Sequence, residues 1–120
     1  MPSEKPLRRL EDILENITRI EQFTAGMEFD AFAANIQAVY ASLHALLIVS
    51  EAARKLGVEA ENLVPSQPWP EIRGIGNVLR HEYDGVDPST VWRIIVSGDL
   101  AALKEAVAAA VDRLRAQPAL

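Results

Sequence analysis

Ionisable side chains are concentrated in one short stretch of this chain, RGIGNVLRHEYDGVD, which covers residues 73–87. The guanidinium groups of Arg73 and Arg80 can hold a phosphate through paired hydrogen bonds. The imidazole of His81 titrates near neutral pH and can move a proton. These residue types predict a small site for an anionic ligand. The alternative, which remains open at this point, is the ordinary solvated face of an amphipathic helix.

A helical arrangement of this stretch places its polar groups together. At about 100° per residue, Arg73, Asn77, Arg80 and His81 fall on one arc. The aliphatic residues fall on the opposite arc, together with Tyr83. The default interpretation of Tyr83 is therefore core packing with its hydroxyl at the edge.

Four other residues invite a functional or a structural interpretation. Gly74 and Gly76 interrupt the predicted helix, where each costs about 1 kcal/mol relative to alanine. They either permit close approach of a ligand or a partner helix, or are merely tolerated. Glu51 ends a long apolar run and is either a surface carboxylate or a partner for the arginines of the stretch. His44 has no second histidine or acid at metal-ligand spacing, so we predict a buried or interfacial structural role and no metal or cofactor site.

Composition restricts the class of protein. A length of 120 residues predicts one domain, residues 1–120, and a hydrophobic content of 49% suffices for a modest core. Cysteine is absent, which excludes disulfides and cysteine nucleophiles. A net charge of −5 argues against binding nucleic acid through bulk charge, so an RNA contact requires a local basic patch. The lack of a membrane-spanning apolar run or signal-peptide core predicts a soluble cytoplasmic protein.

Apolar residues recur at spacings of three and four, which predicts helices and no strands. The expected helices cover about Pro6 to Thr24, Asp30 to Leu56, Pro70 to Arg80 or Tyr83, Pro88 to the SGD at 97–99, and a last one capped by Asp99 and ending near Arg115. Asp87 is the predicted N-cap of the fourth helix, and LVPSQPWPE is a predicted loop. Trp69 and Trp92 are predicted core anchors. The predicted fold is an all-α bundle of four or five helices.

The order of four segments carries a resemblance to a known family. RRLEDILENITRIEQFTAG, SEAARKL, PWPEIRGIGNVLRHEYDGVD and VWRIIVSGDLAALKEAV follow one another in the chain. Together they resemble the HepT-like proteins, all-helical members of the HEPN superfamily, from about Leu7 to Val111. The resemblance implies a homodimer whose two motifs approach each other across a cleft. It also implies a metal-independent endoribonuclease.

The resemblance further implies roles for single residues. His81 corresponds to the histidine that assists proton transfer at the ribose 2′-hydroxyl, while an arginine stabilises the charge that develops on the phosphate. Asn77 corresponds to the polar residue after that arginine. Tyr83 corresponds to a tyrosine that is adenylylated in some members. The enzyme that modifies it is a minimal nucleotidyltransferase encoded next door, and the pair acts as a toxin–antitoxin module.

This chain departs from the family pattern at one position. The pattern places an arginine at position 76, with four residues between it and His81, and this chain has glycine there. Either Arg73 or Arg80 supplies the missing cation, or the site is weakened or lost. The leading hypothesis is a toxin-type RNase that uses His81, Arg80 and Arg73, with Asn77 and Glu51 as orienting or phosphate-binding residues. The alternative is a catalytically weak or inactive HEPN-type binding or regulatory subunit for a nucleotidyltransferase or nucleotide.

Overall fold

The computed structural model describes residues 4–80 and 87–117, and this part of the chain is helical without strands. Its seven helices are α1 Glu4–Phe23, α2 Phe29–Ala34, α3 Ile36–Leu56, α4 Val58–Leu63, α5 Trp69–Arg80, α6 Pro88–Val96 and α7 Asp99–Ala116. The predicted all-α class is confirmed. Two short helices, α2 and α4, bring the number above the four or five that were predicted.

The helix predicted to run unbroken from Asp30 to Leu56 is interrupted at Asn35, so that prediction is wrong. Asn35 has extended backbone angles, φ −104° and ψ 94°, and its side chain accepts a hydrogen bond from the Ala38 N–H. An asparagine side chain competes for backbone donors and favours a helix N-cap over a helix interior. The break turns α2 away from α3 and lets the buried Phe32 pack on Trp92, with 4.9 Å between their ring centroids.

Two predicted N-caps have different outcomes. Asp87 caps α6 as predicted, because its carboxylate accepts from the Ser89 N–H at 3.0 Å and Pro88 is the first helical residue. Asp99 is not a cap: it is the first residue of α7, and Gly98 precedes it as the N-cap. Gly98 has φ 89°, a left-handed conformation that glycine adopts without steric cost. Gly98 thus supplies the left-handed turn before α7, and the Ser97 hydroxyl accepts from the Asp99 N–H at 3.2 Å.

The predicted proline-rich loop is shorter than the sequence suggests. Only residues 64–68 between α4 and α5 are non-helical, and Trp69 already lies in α5. The Trp69 indole is fully buried, and its Nε1–H donates to the Val64 carbonyl at 2.7 Å. Trp69 is thus the core anchor that was predicted, and it also fixes the loop. Trp92 is partly buried against the same core.

The long helix α3 lies at the centre, with α1 and α5 packed against it and α7 packed against α1. Two ion pairs tie α7 to α1: Lys104 with Glu21, and Arg115 with Glu11. By length and composition alone α3 could cross a membrane, but half of its most apolar stretch is buried within the bundle. His44 is exposed on α3, so the buried role predicted for it is wrong. A role at an interface between chains stays a prediction.

Candidate functional site

Helix α5 presents one buried and one exposed face. Trp69, Ile72, Gly76 and Leu79 are buried, whereas Asn77 and Arg80 are exposed. The start of α5 contacts the end of α3, and later residues of α5 contact earlier residues of α3, so the two helices are antiparallel. Ser50 and Ala53 on α3 therefore face Gly76 and Arg73 on α5.

The guanidinium of Arg73 is held by groups of the protein itself. Its Nη1 and Nη2 donate to the two carboxylate oxygens of Glu61, at 3.0 and 2.6 Å. Nη2 also donates to the Gly57 carbonyl at 2.8 Å, and Nε donates to the Ala53 carbonyl at 3.4 Å. These two carbonyls lie at the end of α3, and each also accepts a backbone hydrogen bond, from the Ala60 N–H and the Gly57 N–H respectively. Arg73 thus joins α5 to the C-terminal end of α3 and to α4.

This arrangement changes the interpretation of Arg73. Most of its donors are occupied, so the structure shows a structural contact for Arg73, while its predicted phosphate-binding role stays a prediction. Glu51 pairs with Arg54 at 3.1 Å on the surface of α3 and is not among the hydrogen-bond or ion-pair partners of Arg73. The true partner, Glu61, was missed because it lies on α4, a helix that the hydrophobic pattern did not reveal.

Replacing Arg73 with alanine is expected to lower the free energy of unfolding by about 1 kcal/mol at neutral pH, because the hydrogen bonds that join α5 to the Gly57 and Ala53 carbonyls are lost. The hydrogen bonds from Arg73 hold the pKa of the Glu61 carboxyl below its usual value. A depressed pKa stabilises the fold above the unfolded pKa, about 4.3, and this stabilisation is lost as pH falls through the folded pKa. The difference between wild type and variant should therefore shrink below about pH 4.

Urea unfolding of both proteins at pH 7 and pH 3 measures this difference. Arg54→Ala is the matched control, because it removes an exposed ion pair worth about 1 kcal/mol at most. A difference between wild type and Arg73→Ala that is the same at both pH values would contradict the role given to Glu61.

Gly76 lies where α5 comes closest to α3. Its N–H donates to the Ser50 hydroxyl at 3.0 Å, and that hydroxyl donates to the Arg73 carbonyl at 2.8 Å. A Cβ at position 76 would lie 3.0 Å from Ser50 Oγ, tighter than nearly all natural contacts. Gly76 thus permits close approach of a neighbouring helix, one of the two alternatives. Gly74 has no neighbour within 4 Å of such a Cβ, so nothing around it requires glycine.

Arg80 folds back over the same glycine. Its Nη2 lies 3.4 Å from the point that a Cβ at position 76 would occupy. Asn77 lies beside it on the exposed face, and Glu51 is exposed on α3. His81 and Tyr83 lie outside the described residues. Within the described ranges, no three histidine or acidic side chains are close enough together to hold a metal ion.

The sequence that forms these helices matches a known protein family. A family model described as ribonuclease HepT-like matches residues 13–110, from the middle of α1 through most of α7. The chain belongs to this family. The HepT-like match covers α3 and the whole of α5, including Ser50, Gly76 and Arg80.

Relatives of this HepT-like chain come from several organisms. It is 35% identical over 86 residues to a candidate RNase of Methanocaldococcus jannaschii, covering 72% of this chain and 79% of the relative. It is 36% identical over 95 residues to the "Probable ribonuclease HepT" of Thermococcus cleftensis, covering 79% and 86%. A candidate RNase of Caldanaerobacter subterraneus is 31% identical over 91 residues, covering 76% and 81%. No solved structure matches the chain significantly.

Proposed function

We propose that the protein is a metal-independent endoribonuclease of the HepT type. His81 accepts the proton of a ribose 2′-hydroxyl, and the 2′-oxygen attacks the adjacent phosphorus. The 5′-oxygen leaves and takes a proton from water, so the products carry a 2′,3′-cyclic phosphate and a 5′-hydroxyl. Arg80 stabilises the negative charge that develops on the phosphate during the attack. RNase names among relatives that share most of their length with this chain support the activity.

The observation that carries this proposal is the position of the Arg80 guanidinium. It lies 3.4 Å from where a Cβ of residue 76 would be, and residue 76 is where the family pattern has an arginine. A cation one helical turn later in the sequence therefore reaches back toward the place of the missing one. Arg73 is committed to Glu61 and does not compete for this role. Glu51, whose carboxylate would repel phosphate, has no part in the proposed reaction, while Asn77 orients the substrate.

The proposal extends to assembly and control through the family resemblance. The active form is a homodimer in the cytoplasm, and a minimal nucleotidyltransferase neutralises it by adenylylating Tyr83. Exposed apolar side chains on α3 and α5 support an oligomer, since Ile36, Tyr40 and Val78 are 67, 57 and 52% exposed. Association would remove these side chains from water.

Incubation of the purified protein with a labelled single-stranded RNA in the presence of EDTA tests the activity. Wild type is expected to produce fragments with cyclic phosphate ends, and His81→Ala is expected to leave the RNA intact. The cyclic ends are detected by mass spectrometry. If wild type and His81→Ala leave the RNA equally intact, catalysis by this site is rejected.

A second candidate function is favoured by Gly76 itself. Any side chain at this position would bring its Cβ within 3.0 Å of Ser50 Oγ, so the contact between α3 and α5 disfavours an arginine where the family pattern has one. In this case the protein keeps the fold and acts as a binding or regulatory subunit for a nucleotidyltransferase or a nucleotide. Intact RNA together with saturable binding of ATP, measured by calorimetry, would select this function over the first.

A further inference from the structure

We infer that Ser50 is a positioning residue that holds α5 in the place where Arg80 can act on the phosphate. The inference rests on the proposed function, because it concerns the same cation. It assigns a role in the reaction to a buried residue of α3 that has no contact with substrate.

The Ser50 hydroxyl joins two helices through both of its hydrogen-bonding capacities. It accepts from the Gly76 N–H at 3.0 Å and donates to the Arg73 carbonyl at 2.8 Å. The Ser50 side chain is fully buried. Since both of its partners are backbone groups of α5, the hydroxyl fixes the position and rotation of that helix rather than of one side chain.

The same contact accounts for the glycine beside which Arg80 lies. Because α3 and α5 meet at Ser50, a Cβ at position 76 would lie only 3.0 Å from Ser50 Oγ. The Arg80 side chain reaches back along α5 by one turn, so that Nη2 lies 3.4 Å from the point that this Cβ would occupy. A shift or rotation of α5 relative to α3 would move Gly76 and the cation together. Misplacement of a catalytic group by about 1 Å can cost about 100-fold in rate.

A stability measurement tests the contact independently of activity. Gly76→Ala is expected to lower the unfolding temperature in the wild-type background, because the new Cβ would meet Ser50 Oγ at 3.0 Å. In a Ser50→Ala background the nearest atoms become Arg80 Nη2, at 3.4 Å, and the Cβ of residue 50, at 3.5 Å, which are both ordinary contacts. In the Ser50→Ala background, Gly76→Ala should therefore raise the unfolding temperature, because alanine forms helices better than glycine. Equal shifts in the two backgrounds would overturn the inference.

A kinetic measurement tests the positioning role. Ser50→Ala is expected to lower kcat for RNA cleavage by about 10- to 100-fold. Ser42→Ala is the matched control, because Ser42 is a fully buried serine of the same helix whose hydroxyl has no hydrogen-bond partner among the described residues. The Ser42→Ala variant should cleave RNA at the wild-type rate.

A double-mutant cycle separates positioning from general support of the fold. In an Arg80→Ala background, adding Ser50→Ala is expected to leave kcat unchanged, because the cation that Ser50 positions is already absent. An active wild type with full activity in Ser50→Ala, or with an equal loss of kcat in both backgrounds, would overturn the inference and leave the proposed function standing. Absence of cleavage by wild type would reject the proposed function and with it the positioning role.

Discussion

Replacing Arg80 with alanine is expected to slow RNA cleavage by about 100- to 1000-fold, the usual cost of removing one donor that stabilises charge in a transition state. The side chain is exposed, and a surface substitution of this kind changes stability by about 0.5 kcal/mol or less. Activity should therefore be lost without loss of the fold. Single-turnover cleavage rates and thermal unfolding of the same preparations measure the two effects.

Arg19→Ala is the control for this experiment. Arg19 is an exposed arginine on α1 that pairs with Glu15 one turn away, so its loss should leave cleavage unchanged. Arg80→Lys should recover only part of the rate, because a lysine carries a point charge in place of the planar fork of an arginine. A cleavage rate for Arg80→Ala equal to that of Arg19→Ala would remove Arg80 from the mechanism.

The largest expected effect on stability is that of Trp69→Ala. The indole is fully buried, and truncation of such a side chain usually costs about 3–5 kcal/mol. The Val64 carbonyl also loses the donor that lies 2.7 Å away. Because a domain of this size is stable by about 5–15 kcal/mol, the variant should unfold at a much lower urea concentration.

Trp69→Phe separates the two contributions, since it keeps most of the packing and loses only the hydrogen bond. Its cost should be about 1–3 kcal/mol. The fluorescence of Trp92 reports unfolding in both variants. If Trp69→Ala unfolds at the same urea concentration as Trp69→Phe, the indole contributes through its hydrogen bond and not through packing.

Local chemistry accounts for the parts of the fold that sequence reasoning predicted well. The apolar stripe of α1 predicts a helix close to the observed Glu4–Phe23. The Asp87–Pro88 pair predicts the start of α6, because both capping and the fixed φ of proline act within one turn. Both features depend on neighbouring residues, so they can be predicted without the contacts that the rest of the chain makes.

The failures depend on contacts between distant residues or on competing local preferences. Asn35 ends one helix and begins another inside a strongly apolar pattern, and the packing of Phe32 on Trp92 accompanies that break. Asp99 has the right type for an N-cap, yet Gly98 takes the position. The spacing of apolar residues alone does not decide between a continuous and a broken helix at Asn35, or between Asp99 and Gly98 as the N-cap.

The composition of the stretch at 73–87 did not predict how its two arginines are arranged. A helical wheel places Arg73 and Arg80 on the same arc, but it contains no neighbouring helices. In the structure Arg73 turns to Glu61, twelve residues earlier in the chain, whereas Arg80 folds over Gly76. The neighbours that separate the two arginines are Glu61 and Ser50, and neither belongs to the stretch from which the site was inferred.

The pairing of α1 with α7 has a consequence for synthesis of the chain. Ribosomes add about 5–20 residues per second, so roughly 4–15 s pass between completion of α1 and the first residue of α7. During that interval α3 can cover one side of α1, and the side that α7 will cover stays open to water. A nascent chain that stalls before Asp99 therefore carries exposed apolar surface, the feature by which chaperones and proteases sort unfinished proteins.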